Sequence, residues 1–253
     1  MKNICLIISY DGTDYSGWQK QQNALAIQEV IENALSEVTG EKIVLKAAGR
    51  TDAGVHALAQ VANFKTNSTI PPEKFLYPLN NILPGDIRIE KSFEVTDDFS
   101  ARFSALLKHY RYSVYVGEVL PATMKRFFSL YSYDIDMDKI SDAAKVLVGT
   151  HDFKAFEGPY AQMPTSVRNV TDIIIKYENN ILTFDIFGEA FLKNMVRIMV
   201  GTILKANEGR IMPTEIEELF ETKDRTKAGV TMPPEGLTMV EIKYDWEKFR
   251  MAL

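Results

Sequence analysis

The apolar positions of this chain change period several times along its 253 residues, and each change marks an element. Residues 3–10 read as a buried strand, with Ile4, Leu6, Ile7 and Ile8 in a nearly continuous apolar run. From 11 to 23 the pattern lapses into a stretch rich in Gly, Asp and Gln, where Tyr15 and Trp18 are expected to be exposed. A helix is predicted over 24–38. There Ile27, Val30, Ile31, Ala34, Leu35 and Val38 form one stripe, and Gly40 supplies the stop. Strand-like runs follow at 42–47 and 59–65. Pro71-Pro72 starts a helix through residue 81, Pro84-Gly85 breaks it, and 86–95 is another strand.

In the second half, 108–116 alternates strictly. Lys108, Tyr110, Tyr112, Val114 and Val116 point one way, and His109, Arg111, Ser113 and Tyr115 the other. A helix over 137–148 ends at Gly149. The runs 169–177 and 181–187 flank Glu178-Asn179-Asn180 as a hairpin. The longest helix is predicted over 190–206 and a short acidic one over 213–220. A loop with Gly229, Pro233 and Pro234 precedes a closing strand at 237–244. Strands and helices mix without strict βαβ alternation, so the fold class expected is α+β. Residues 99–105 are a plausible crossing point, giving an N-terminal half at 1–105 and a C-terminal half at 106–253.

Composition narrows the classes. At 46% hydrophobic residues, the chain can form one large domain or two modest ones with real cores. It has no run of 18 apolar residues for a membrane helix. Its start leads straight into a strand-like segment, without the apolar core and cleavage site of a secretory signal. Cys5 is the one cysteine, and His56, His109 and His151 are far apart, so neither a disulfide nor a metal site is expected. A soluble, reduced, cytoplasmic protein fits. The formal charge of −5 argues weakly against a polyanionic partner. Its distribution softens that: between Arg102 and Arg126, five basic residues (Arg102, Lys108, Arg111, Lys125, Arg126) face Glu118 alone, a balance of +4. A segregated field binds nucleic acid despite a negative total, whereas the plainer reading is a solvated charged surface.

The candidate chemistry centres on Ala48-Gly49-Arg50-Thr51-Asp52-Ala53-Gly54-Val55-His56, between two strand-like runs. Gly49 and Gly54 are expected to let the chain turn sharply. One reading is a hairpin whose Asp caps its own turn; the other is an aspartate mounted rigidly as a nucleophile. On the long helix, Arg197 neighbours Val200, Gly201 and Leu204, a partly apolar strip that covers it or leaves it at the surface. A covered guanidinium needs a carboxylate, and Asp52 is a candidate. Tyr110 and Tyr112 either pack across strands or stack on a nucleobase. Arg111, on the opposite face, is placed to meet phosphate. The loop 11–23 reads as a finger contacting a ligand or as a plain loop.

Five motifs in order resemble the TruA family of tRNA pseudouridine synthases, which isomerise uridines at positions 38 to 40 of the anticodon arm. They are Tyr10-Asp11-Gly12-Thr13 with Gly17-Trp18-Gln19, then Gly49 to His56, then Ser100-Ala101-Arg102-Phe103 leading to Lys108-His109-Tyr110-Arg111-Tyr112. Phe191-Leu192-Lys193-Asn194-Met195-Val196-Arg197 follows, then Ala228-Gly229 with Pro233 to Leu237. The resemblance implies two similar α/β halves with mostly antiparallel sheets joined into one extended sheet, an active-site cleft between the halves, and usually a homodimer. It implies Asp52 as catalytic aspartate, Arg197 as its basic partner, Tyr110 at the target base and Arg50 in base extrusion and RNA holding. Trp18, Arg102, Lys108, Arg111 and Lys193 are further expected RNA contacts. It further implies tRNA as substrate and a target base flipped out of its stem, and it implies no metal or cofactor.

Overall fold

The computed structural model describes residues 1–160 and 164–251. In chain order the elements are β1 (Lys2–Tyr10), α1 (Ile27–Thr39), β2 (Lys46–Ala47), β3 (His56–Thr66), α2 (Leu76–Ile82) and β4 (Ile87–Val95). Then come β5 (Leu107–Val116), β6 (Ser129–Tyr131), α3 (Met137–Val146), β7 (Gly149–Asp152), β8 (Val167–Glu178) and β9 (Ile181–Gly188). The last are α4 (Met195–Asn207), α5 (Pro213–Thr222), β10 (Leu237–Lys243) and α6 (Trp246–Phe249). Contacts divide the chain into two compact units, Met1–Leu106 with the segment from Met239 onward, and Leu107–Thr238. Sequence order alone puts the closing strand and helix with the second half. They belong to the first unit because Phe99 is ringed by Tyr244, Trp246 and Phe249, with ring centroids 5.3, 5.7 and 5.4 Å away.

In the first unit β1 lies antiparallel between β4 and β3, with Ile4 opposite Phe64 and Cys5 opposite Phe93. Of the apolar run that predicted β1, Ile4, Leu6 and Ile8 are buried and Ile7 is half-buried. The stripe of α1 is buried through Ile27, Ile31, Ala34 and Leu35. The run at 42–47 yields only a two-residue strand, and the helix expected from Pro71 splits into a single 3₁₀ turn at Pro72–Lys74 and then α2.

In the second unit β5 pairs antiparallel with β9, β9 with β8 and β8 with β7, while β6 runs parallel to β5. The period-two pattern of β5 is realised: Tyr110, Tyr112 and Val114 are buried and Arg111 is exposed. Their covering layer is α4, with Met195, Ile198, Met199, Val200 and Ile203 buried. Both units thus mix helices with mostly antiparallel strands, and the α+β expectation holds. Among the described residues no helix is long and apolar enough to cross a membrane.

Candidate active site

The first unit carries the Asp52 loop on a rigid mount. Entry is fixed by the Ala48 N–H donating to Val61 O (2.8 Å) and by Gln60 donating to Gly49 O (2.9 Å). The Val55 N–H donates to Asp52 O at 3.2 Å, closing a four-residue turn. Its third residue, Gly54, has φ 78°, the left-handed angle a type II turn requires. Gly49 is not among the positive-φ glycines, so of the two glycines flanking Asp52 only Gly54 acts through its backbone angle. Asp52 is half-buried and Arg50 exposed.

What braces this loop is the segment 11–23. Trp18 N–H donates to Thr51 O (3.1 Å) and Gly54 N–H to Tyr15 O (3.3 Å). The Tyr10 and Thr51 hydroxyls are 2.8 Å apart and buried, and burial pushes the Tyr10 phenol far above its usual range. His56 Nδ1 accepts from Gly12 N–H at 3.1 Å and lies 3.2 Å from Asp11 Oδ1. A Cβ on Gly12 would stand 2.0 Å from Val55 O, and one on Gly17 2.6 Å from Thr51 O. The segment is therefore tied by its backbone to the Asp52 loop. Tyr15 and Trp18 are buried at 6% and 2% exposure, correcting the expectation that they face solvent. Trp18 packs on Tyr10, with centroids 6.0 Å apart, and offers no free face for RNA.

The second unit holds Tyr110 and Arg197. Tyr110 is 8% exposed and meets Phe191 edge-on, with centroids 5.2 Å apart. Tyr112 takes the structural role, donating its hydroxyl to Pro233 O at 2.7 Å, and burial pushes its pKa well up. The helix expected from 190 begins at Met195, because Asn194 adopts the left-handed conformation at φ 60°. Phe191 to Asn194 therefore forms the approach to the helix, and Arg197 sits in its first turn. At 13 residues α4 equals α1 in length. The Arg197 strip is covered: a Cβ on Gly201 would meet Val230 O at 2.1 Å, and one on Gly229 would meet Gly201 C at 2.2 Å. The 227–236 loop lies against the helix there. Arg197 is half-buried and donates through Nε to Met232 O at 2.6 Å, while Met232 N–H donates back to Arg197 O at 3.3 Å.

Of the other expected RNA contacts, Arg102 and Lys193 are exposed and Lys108 is half-buried. Lys193 donates to Pro159 O at 3.1 Å. Arg111 is not a free phosphate ligand. Its Nε and Nη2 reach Asp185 Oδ1 and Oδ2 at 2.9 and 3.1 Å, and His109 Nε2 lies 2.6 Å from Oδ1. Asp185, which no sequence pattern singles out, is 4% exposed and stands opposite Arg111 in the β5–β9 register. Thr51 and His56 likewise carry no role from sequence, although both lie inside the Asp52 motif.

Comparison with known proteins agrees with the ordered motifs. The chain is 48% identical over 244 residues to tRNA pseudouridine synthase A of Acetivibrio thermocellus, covering 96% of this chain and all of that protein. Over the same span and coverage it is 46% identical to tRNA pseudouridine synthase A of Caldicellulosiruptor bescii. It is 44% identical to tRNA pseudouridine synthase A 2 of Clostridium perfringens, again with 96% and full coverage. The model of the tRNA pseudouridine synthase family matches residues 6–104 and 143–245, which include Asp52 and Arg197. The chain belongs to the tRNA pseudouridine synthase family.

Proposed function

We propose that this enzyme isomerises uridine to pseudouridine at positions 38, 39 and/or 40 of the tRNA anticodon arm, with Asp52 as nucleophile. The observation that carries the assignment is the mount of the Asp52 loop. The half-buried Asp52 sits in a turn whose backbone is bonded to β3 and to the 11–23 segment. A carboxylate held this way approaches a substrate without the entropy cost of ordering a flexible loop.

The reaction breaks the N1–C1′ bond, turns the uracil and joins C5 to C1′. The proton on C5 leaves and N1 gains one, so substrate and product are isomers and no oxidant or water is consumed. Arg197, a half-buried cation in the first turn of α4, is the basic partner of Asp52 in this reading. Its guanidinium is aimed by the carbonyl of Met232. Tyr110 contacts the flipped base. Extruding that base costs a few kcal/mol, which stacking and phosphate contacts offset. Arg50, exposed beside Asp52, assists extrusion, and the enzyme acts as a cytoplasmic homodimer. Mapping pseudouridine in tRNA from a strain lacking this gene tests the site assignment. Loss confined to positions 38–40, restored by the wild-type gene, is expected. Unchanged modification there would overturn it.

A further inference from the structure

The turn at Ser100 to Ser104 displays its side chains in an unusual way. Phe99 and Ala101 are 3% and 0% exposed, yet Phe103 is 82% exposed. That exposure does not come from a loose chain. Ala101 N–H donates to Asn63 Oδ1 at 3.0 Å, and Ala101 O accepts the Tyr244 hydroxyl at 2.5 Å, both buried. Asn3 holds the Phe99 carbonyl at 3.3 Å. Ser104 N–H donates to Ser100 O at 2.9 Å, and the two serine hydroxyls accept from the Phe103 and Ser100 N–H groups at 3.4 and 3.2 Å. The turn is thus tied to the core by buried bonds on one side and to itself on the other. The Arg102 guanidinium lies 5.3 Å from the centre of the Phe103 ring. The ring is exposed while buried hydrogen bonds fix the backbone that carries it.

We infer that Phe103 is a nucleobase-stacking platform and Arg102 its phosphate ligand, together a substrate-positioning site outside the reacting centre. This rests on the proposed action on tRNA. Aromatic rings and guanidinium planes are the groups on which unstacked RNA bases lie, and stacking tolerates any base. The exposed Arg102 guanidinium beside the ring favours RNA over a protein partner, because it adds a phosphate ligand to a stacking surface. The nearest acids before it are engaged, Asp97 with Lys65 and Asp98 with Thr96. The site therefore positions RNA and takes no part in bond changes. Its loss acts on KM and Kd rather than on kcat.

The test uses the full-length enzyme and an unmodified tRNA transcript. Phe103→Ala raises KM and the Kd for tRNA about tenfold with kcat within twofold, and Phe103→Trp restores both. Arg102→Gln weakens binding and flattens its salt dependence by about one contact. The introduced indole of Phe103→Trp also changes emission when tRNA is added, a signal that a purely structural role would not give. Tritium release from C5-labelled uridine by the wild type is measured in parallel, and its absence would refute the proposed activity rather than this site. With an active wild type, unchanged KM and Kd in Phe103→Ala, together with no emission change in Phe103→Trp, would overturn the inference. So would a change in oligomeric state by light scattering with tRNA affinity retained, because the ring would then serve a protein contact.

Discussion

Gly12→Ala tests whether the 11–23 segment sets the position of Asp52. The added Cβ would lie 2.0 Å from Val55 O, where ordinary contact begins at 3.4 Å. The shortfall is about 1.4 Å, and because the Cβ position is set by the backbone and the oxygen belongs to it, no side-chain rotation relieves it. Val55 closes the turn that begins at Asp52, so the displacement passes to the carboxylate. A misplacement of about 1 Å costs about 100-fold in rate, or about 2.7 kcal/mol of transition-state stabilisation. Overpacking adds about 1–3 kcal/mol of lost stability, which lowers Tm by about 2–4 °C per kcal/mol in a chain of this size. Gly40→Ala is the control: its φ is +70° and nothing lies within 4 Å. It carries left-handed strain of about 1–2 kcal/mol but leaves kcat unchanged. Single-turnover tritium release and thermal unfolding measure both effects. A Gly12→Ala enzyme with wild-type kcat would refute the bracing role.

Other outcomes follow from the same geometry. Arg197→Met loses kcat by at least tenfold, since a charged hydrogen-bonding group contributes about 1.5–3 kcal/mol. Arg168→Met keeps kcat but lowers Tm, because Arg168 is 8% exposed and serves the carbonyls of Thr165 and Val167. Equal kcat in the two variants contradicts the assignment. Binding of tRNA weakens with salt, with a log–log slope of about −3 if four of the exposed or half-buried cations meet phosphate; a flat titration contradicts it. The Asp152 carboxyl is held below its ordinary 3.8, chiefly by Lys223 and then by Ser166. Its folded pKa is depressed, so its contribution to stability is present above about pH 4 and is lost as pH falls through the folded value. The stability gap between wild type and Asp152→Asn therefore narrows on acidification below that pH in urea titrations. A gap independent of pH contradicts the pairing.

Much of the candidate site is legible in the sequence because its signals are local. The β5 alternation follows from period-two burial, and Gly54 follows from turn chemistry. The segment 11–23 reads as a loop or finger because polar residues dominate it, while its backbone contact with a loop about forty positions away in sequence leaves no local signal. Gly12 and Gly17 matter for the carbonyls they approach, a requirement that periodicity does not encode. The start of α4 lies later than periodicity puts it because Asn194 takes a left-handed angle that many residues avoid. Arg111 reads as open to phosphate because Asp185, 74 residues later, becomes its partner only through strand pairing. Covering of the Arg197 strip is one of the two sequence readings, and the agent is a pair of glycines on α4 and the 227–236 loop that allow close backbone approach.

The proposed isomerisation depends on the Asp52 carboxylate. Single-turnover tritium release from tRNA labelled at C5 of uridine, comparing wild type with Asp52→Asn, addresses it most directly. The account predicts release by the wild type and none by the variant, with tRNA affinity preserved within about tenfold, or about 1.4 kcal/mol. Substantial turnover by Asp52→Asn would contradict it.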